Sequence, residues 1–75
     1  MIVSGEKDGT LIHVQLIDIH GTYFYDLVYT HAGEQQSRHT RIGKDDIYAD
    51  PQPGDAVHIR YMMNVVTGMR RADTG

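Results

Sequence analysis

From Thr10 to Thr30 the chain alternates apolar and polar positions with a period of two, the spacing of half-buried strands, and no 3.6-residue helical stripe competes with it. The stretch 10–19 places Ile12, Val14 and Leu16 on one side, and 22–30 places Tyr23, Tyr25, Leu27 and Tyr29 on one side. Between them His20-Gly21 suits a two-residue hairpin turn, because Gly accepts positive φ and His tolerates it. If Ile19 faces Thr22, then Leu16 faces Tyr25, Val14 faces Leu27 and Ile12 faces Tyr29. The two apolar sides meet, and a slip of one residue would scramble them. This side is the expected core face. The reverse side carries Ile17, Ile19, Phe24 and Val28 beside His13, Gln15 and Asp26. That is too apolar for a fully solvated surface, so either sheet curvature buries it or a partner covers it.

Downstream, His31-Ala32-Gly33 suits a three-residue loop ending on a left-handed Gly, which would set Thr30 opposite Glu34 and Asp26 opposite Arg38. The next strand, EQQSRHTRI, is polar until Ile42 and reads as an edge strand. GKDDIYAD (43–50) breaks the alternation and fits a turn of helix with Ile47 and Tyr48 packing inward. Pro51 and Pro53 hold the chain extended. Gly54-Asp55 then turns into AVHIRY, where Val57, Ile59 and Tyr61 face one way, and Met63-Asn64 turns into a last strand, VVTGMRR. The pattern predicts one all-β domain over 1–75. Its expected form is a small five-stranded antiparallel barrel, OB-like or SH3-like, with at most one short helical turn near 44–50.

Composition narrows what such a domain does. The chain has 75 residues, so its core is thin. It has no cysteine, which removes disulfides, thiolate metal sites and thiol chemistry and fits a reducing cytoplasm. No apolar run approaches a membrane span, and MIVSGEKDGT lacks the features of a leader, so a complete, soluble, cytoplasmic chain is expected. The net charge is −3 and unevenly spread. Residues 1–34 set Lys7 alone against Glu6, Asp8, Asp18, Asp26 and Glu34, while the remainder is close to balanced. Nucleic-acid binders are normally basic, because phosphate neutralisation supplies much of their affinity.

Gly9-Thr10 opening the first strand, the Gly turn into an aromatic strand, IGK at 42–44, PGDAVHI at 53–59 and the closing Arg70-Arg71 together resemble the S1-type OB-fold of single-domain initiation-factor-one-like proteins. The resemblance implies an OB barrel and, by family habit, RNA binding. The acidic balance and Asp45-Asp46 after IGK depart from that family's basic character.

Three functional classes follow. A single-stranded nucleic-acid site would stack bases on Tyr23, Phe24 and Tyr25 and hold phosphates with Arg38, Arg41, Lys44, His58 and Arg60. The competing reading makes the tyrosines core and the cations solvated. A metal site finds no support in the spacing of His13, His20, His31, His39 and His58, and no cofactor is expected. Catalysis lacks a nucleophile motif or a glycine-rich phosphate loop, so no enzyme is expected. Protein docking or self-association is the leading expectation. It would use Ile17, Ile19, Phe24 and Val28 together with Met62 and Met69, since methionine suits adaptable contacts.

Overall fold

A computed structural model describes residues 4–72. The chain forms β1 (Ser4–Ile19), β2 (Thr22–His31), β3 (Ser37–Gly43), a 3-10 turn (Lys44–Asp46), β4 (Ala56–Met62) and β5 (Val65–Arg71). All pairings are antiparallel, and the strands make one sheet in the order β3-β2-β1-β4-β5. The expectation of five closely linked antiparallel strands with one helical turn holds. Strand pairing does not close the sheet into a barrel. Its two ends approach each other through a single parallel bridge between Ile47, just beyond β3, and Met69 of β5.

The first strand is longer than its alternation suggested, because SGEKDGT reads as polar loop yet pairs with β4 from Ser4↔Met62 to Thr10↔Ala56. Fully extended, 16 residues would span ~50 Å, whereas the molecule is 36 Å in its longest dimension, so β1 must bend. The bend lies where β1 changes partners. Gly9 pairs with both His31 of β2 and Val57 of β4, and Thr10 with both Thr30 and Ala56. Gly9 is buried, and a methyl group there would collide with the Thr30 carbonyl oxygen and lie 2.7 Å from Ile59 Cδ1.

A β-bulge follows at once. Leu11 pairs with Tyr29 and His13 with Val28, leaving Ile12 unpaired. Below the bulge the expected hairpin register is observed, with Val14↔Leu27, Leu16↔Tyr25 and Ile19↔Thr22. Above it the register shifts, so Leu11 is buried and Ile12 is 49% exposed. The expected core position of Ile12 is therefore corrected. The extra residue turns it outward to let β1 bend.

The β2–β3 connection also differs from expectation. Thr30 pairs with Ser37 and Asp26 with Arg41, a slip of three positions. An odd slip changes faces. It brings Ile42 opposite Tyr25 on the core side, where the shorter loop would have left it outside, opposite Thr22. Elsewhere the turn chemistry is as read. His20 and Gly21 have φ of 52° and 83°, and Met63 and Asn64 have 52° and 67°, the positive pairs that two-residue hairpins require.

The core lies on the concave side of the sheet: Leu11, Leu27, Tyr29, Ile42, Val57, Ile59, Tyr61 and Met69, with Ile47 from the segment after the 3-10 turn. Leu11, Leu27, Val57 and Ile59 are fully buried. Each contributes about 1.5–3 kcal/mol, more than a surface ion pair at ~0–1 kcal/mol. A polar chain crosses this core. Tyr29 and Tyr61 hydroxyls lie 2.8 Å apart, and Tyr61 Oη lies 2.8 Å from His31 Nε2. His31 Nδ1 faces Glu34 Oε1 at 3.5 Å. With the ring proton on Nδ1, Tyr61 donates to Nε2 and accepts from Tyr29, so all three buried groups are satisfied. Burial holds the Tyr29 hydroxyl well above its usual range, and the bond to Tyr61 adds to this. Burial also pushes His31 below 6.5, helped by Arg38 and Lys7 and opposed by Glu34.

Gly9→Ala lowers unfolding free energy by about 1–3 kcal/mol, the usual cost of overpacking, read from urea denaturation. Because the folded state depresses His31, the unfolded chain binds the extra proton more readily. The contribution of neutral His31 is complete above pH 6.5 and declines as pH falls below it. Denaturation midpoints between pH 7.5 and 5 (roughly the range in which histidine titrates) should fall more steeply for the wild type than for His31→Gln.

Candidate docking surface

Past the end of the β4 pairing the β1–β2 hairpin continues as an arm, flanked by β3 as far as Phe24↔Gly43 and two-stranded only at Asp18↔Tyr23 and Ile19↔Thr22. Antiparallel partners share a face, which assigns every side chain on the arm. The concave side carries Val14, Leu16, Asp18, Tyr23, Tyr25 and Leu27, and the convex side carries His13, Gln15, Ile17, Ile19, Phe24, Asp26 and Val28. Leu27 is buried and Val14 and Tyr25 pack on the core, but Leu16 is 50% exposed and Tyr23 44% exposed. Leu16 has the predicted face without the predicted burial. The strand outruns the core it would cover.

On the convex side, Ile17, Phe24 and Val28 are half-buried and Ile19 is 40% exposed, and none packs against the core cluster. These four expected surface residues lie together on one face. Met62 is exposed, but it sits opposite Ser4, at the far end of β1, beside exposed Met63 and Val65. Met69 is corrected: it is only 4% exposed, because its strand position pairs it with Ile59 and bridges it to Ile47. Met1–Val3, the start of the stretch read as leaderless, lie outside the described residues.

Beneath the concave side of the arm is an open cleft of about 510 Å³ lined by Tyr25, Lys44, Asp45, Ile47, Tyr48 and Asp50. Lys44 Nζ lies 5.5 Å from the centre of the Tyr23 ring, a cation–π contact that ties the arm to the 3-10 turn. The floor is braced by Asp55, whose carboxylate accepts from Tyr48 Oη at 2.8 Å and from the Gln52 amide at 3.0 Å. These bonds, the tyrosine first, hold the Asp55 carboxyl below its usual range, while burial raises the Tyr48 hydroxyl. PQPGD is thus a strand-entry clamp. Apolar alternation alone had not marked Tyr48 and Ile47 as the cleft wall, because the fold brings them under the arm from 20 residues downstream.

The residues read for nucleic acid do not converge. Tyr23, Tyr25 and Lys44 meet on the concave side, whereas Phe24 and Arg41 lie on the convex side. Arg41 makes two bonds to Asp26, at 2.6 and 3.1 Å, and lowers that carboxyl. Arg38 bonds to Glu34 at 3.2 Å. On the outer side of β4, His58 Nδ1 donates to Asp8 at 2.6 Å, and Arg60 pairs in register with Glu6, which is held by Arg70. Most of the cations are thus matched by a carboxylate, which weakens the field a phosphate would meet. Among the described residues no group of three or more potential ligands is placed to hold a metal, and no helix is long and apolar enough to cross a membrane.

Neither family models, nor curated proteins, nor solved structures contain a match to this chain.

Because Phe24 packs outside the core, Phe24→Asp should leave the sheet folded, with an unchanged circular dichroism spectrum and a cost of ~1 kcal/mol from lost strand propensity. Tyr61→Asp, inside the core, should abolish cooperative unfolding.

Proposed function

We propose that this chain is a non-catalytic protein-interaction module that docks through its β1–β2 arm. One observation carries the reading: the arm projects past the core with apolar side chains on both faces. Leu16 and Tyr23 lie on one face and Ile17, Ile19 and Phe24 on the other, and the described residues leave all five exposed or half-buried. Apolar surface on both faces of one short element costs solubility and is retained where something packs on it. The framework reads as an OB-like barrel left partly open. The order β3-β2-β1-β4-β5, with β5 approaching the chain beyond β3 in parallel, favours this over an SH3-like arrangement, which sets the first strand beside the fifth. The pairing of cations with carboxylates supports a protein partner over a polyanion.

A second reading, single-stranded nucleic-acid binding, is favoured by the OB-like order and by Tyr23, Tyr25 and Lys44 sharing one side. One pair of measurements separates the two. Affinity capture from native extract should retain specific proteins on the wild type and lose them on Phe24→Asp. Fluorescence anisotropy with single-stranded RNA should show no saturable binding at low salt. Salt-sensitive RNA binding lost on Tyr23→Ala, with no protein captured, would reverse the assignment.

A further inference from the structure

We infer that the arm's outer edge, the side of β1 from Ile12 to Ile19 that no other described strand pairs, joins a second copy of this chain in an antiparallel β1–β1 pair. The inference rests on the docking role of the arm and names its partner.

β1 is flanked by β4 only as far as Thr10↔Ala56. One further link follows, in which the Leu11 amide donates to Asp55 O at 2.9 Å and Leu11 O accepts from Gly54 N at 2.7 Å. Past the bulge, β2 is the one strand among the described residues that pairs with β1. The two-residue turn makes Ile19↔Thr22 a hydrogen-bonded pair. Alternation then turns the amides and carbonyls of Ile17, Gln15 and His13 toward β2 and those of Asp18, Leu16 and Val14 outward. A row of backbone donors and acceptors spaced two residues apart is matched only by another extended strand.

The charge pattern of the edges selects this one. β3 carries Arg38 and Arg41, and β5 carries Arg70 and Arg71 and is bridged by Ile47. The segment Ile12–Ile19 has no Lys, Arg or Pro and a single carboxylate, Asp18. Apart from the bulge at Ile12 and the Asp18 carboxylate it has none of the lysines and prolines that keep edges apart. Self-pairing also satisfies every outward group. With Leu16 on a two-fold axis, Leu16 faces the second copy's Leu16, and Val14 faces its Asp18 in both directions. All three outward residues of each strand then find hydrogen-bonded partners. This register keeps the two Asp18 carboxylates at opposite ends, and Asp18 Oδ1 already accepts the Gly21 amide at 2.8 Å. Sliding the two-fold to Asp18 would set like charges face to face. Pairing at Leu16 continues both apolar faces of the arm across the axis: Leu16 with Tyr25 on the concave side, and Ile17 with Phe24 on the convex side.

The position of Leu16 gives a specific test. Sedimentation of the wild type up to ~1 mM should show a monomer–dimer equilibrium, with dissociation between about 1 µM and 1 mM. Leu16→Lys and Leu16→Glu should each be folded and monomeric, because each sets like charges on the axis. Mixed one to one, they should recover a heterodimer at least about tenfold tighter than either variant with itself. The natural absence of cysteine makes Leu16→Cys the sole thiol, and it should oxidise to a linked dimer much faster than Ile17→Cys. Preferential linking at Ile17 would overturn the register. A wild type monomeric throughout, or single variants that dimerise like the wild type, would overturn the pairing itself. If the wild type is monomeric while Phe24→Asp still loses captured proteins, the self-pairing fails and the docking role stands.

Discussion

Gly9 occupies the point where a single long strand passes from one neighbour to another. β1 must hydrogen-bond to β4 along its first half and to β2 along its second, and at Gly9 and Thr10 it does both. A side chain at Gly9 would strike the Thr30 carbonyl and Ile59, so the crossing depends on a residue without one. The bulge at Ile12 completes the bend. From that geometry follow the curvature that gathers all five strands around one core and the choice of Leu11 over Ile12 as core residue. The arm that continues beyond β4 follows as well.

The thin core compensates with complementary polar bonding. Tyr29, Tyr61 and His31 bring hydroxyls and an imidazole into the interior, and their mutual bonds spare the cost of leaving any of them unpaired. The network ends at Glu34 on the β2–β3 loop, so a buried relay reaches the surface at one point. Asp55 plays a comparable part outside, fastening Tyr48 and the Gln52 amide so that β4 starts at a fixed place beside β1.

The docking role proposed for the arm lies in the part of the molecule these constraints do not use. The convex face of β1, β4 and β5 is a lattice of matched charges, Asp8 with His58 and Glu6 with Arg70. The arm has one carboxylate on its open edge and apolar groups on both faces. The proposed docking at the arm and the inferred pairing of its edge with a second copy draw on the same exposed element. One uses side chains and the other the backbone.

Local chemistry made the strands and two of the turns legible. The two-residue period, His20-Gly21, Met63-Asn64 and the prolines at 51 and 53 act over a few residues, and the sequence records them directly. The hairpin register below the bulge and the inward placing of Val57, Ile59 and Tyr61 were also readable, since burial repeats along each strand, and Ile47 and Tyr48 were readable as the apolar pair in an otherwise polar turn. Other features depended on partners distant in sequence. Ser4–Thr10 is a strand only because β4 lies beside it, and Ile12 faces outward only because β1 must bend. Ile42 draws β3 three places along to reach the core, and Met69 is buried because β5 curls back to Ile47. Whether an apolar face is core or surface was likewise undecided by alternation, which is the same for both. The tertiary structure decided it by where β4 stops accompanying β1.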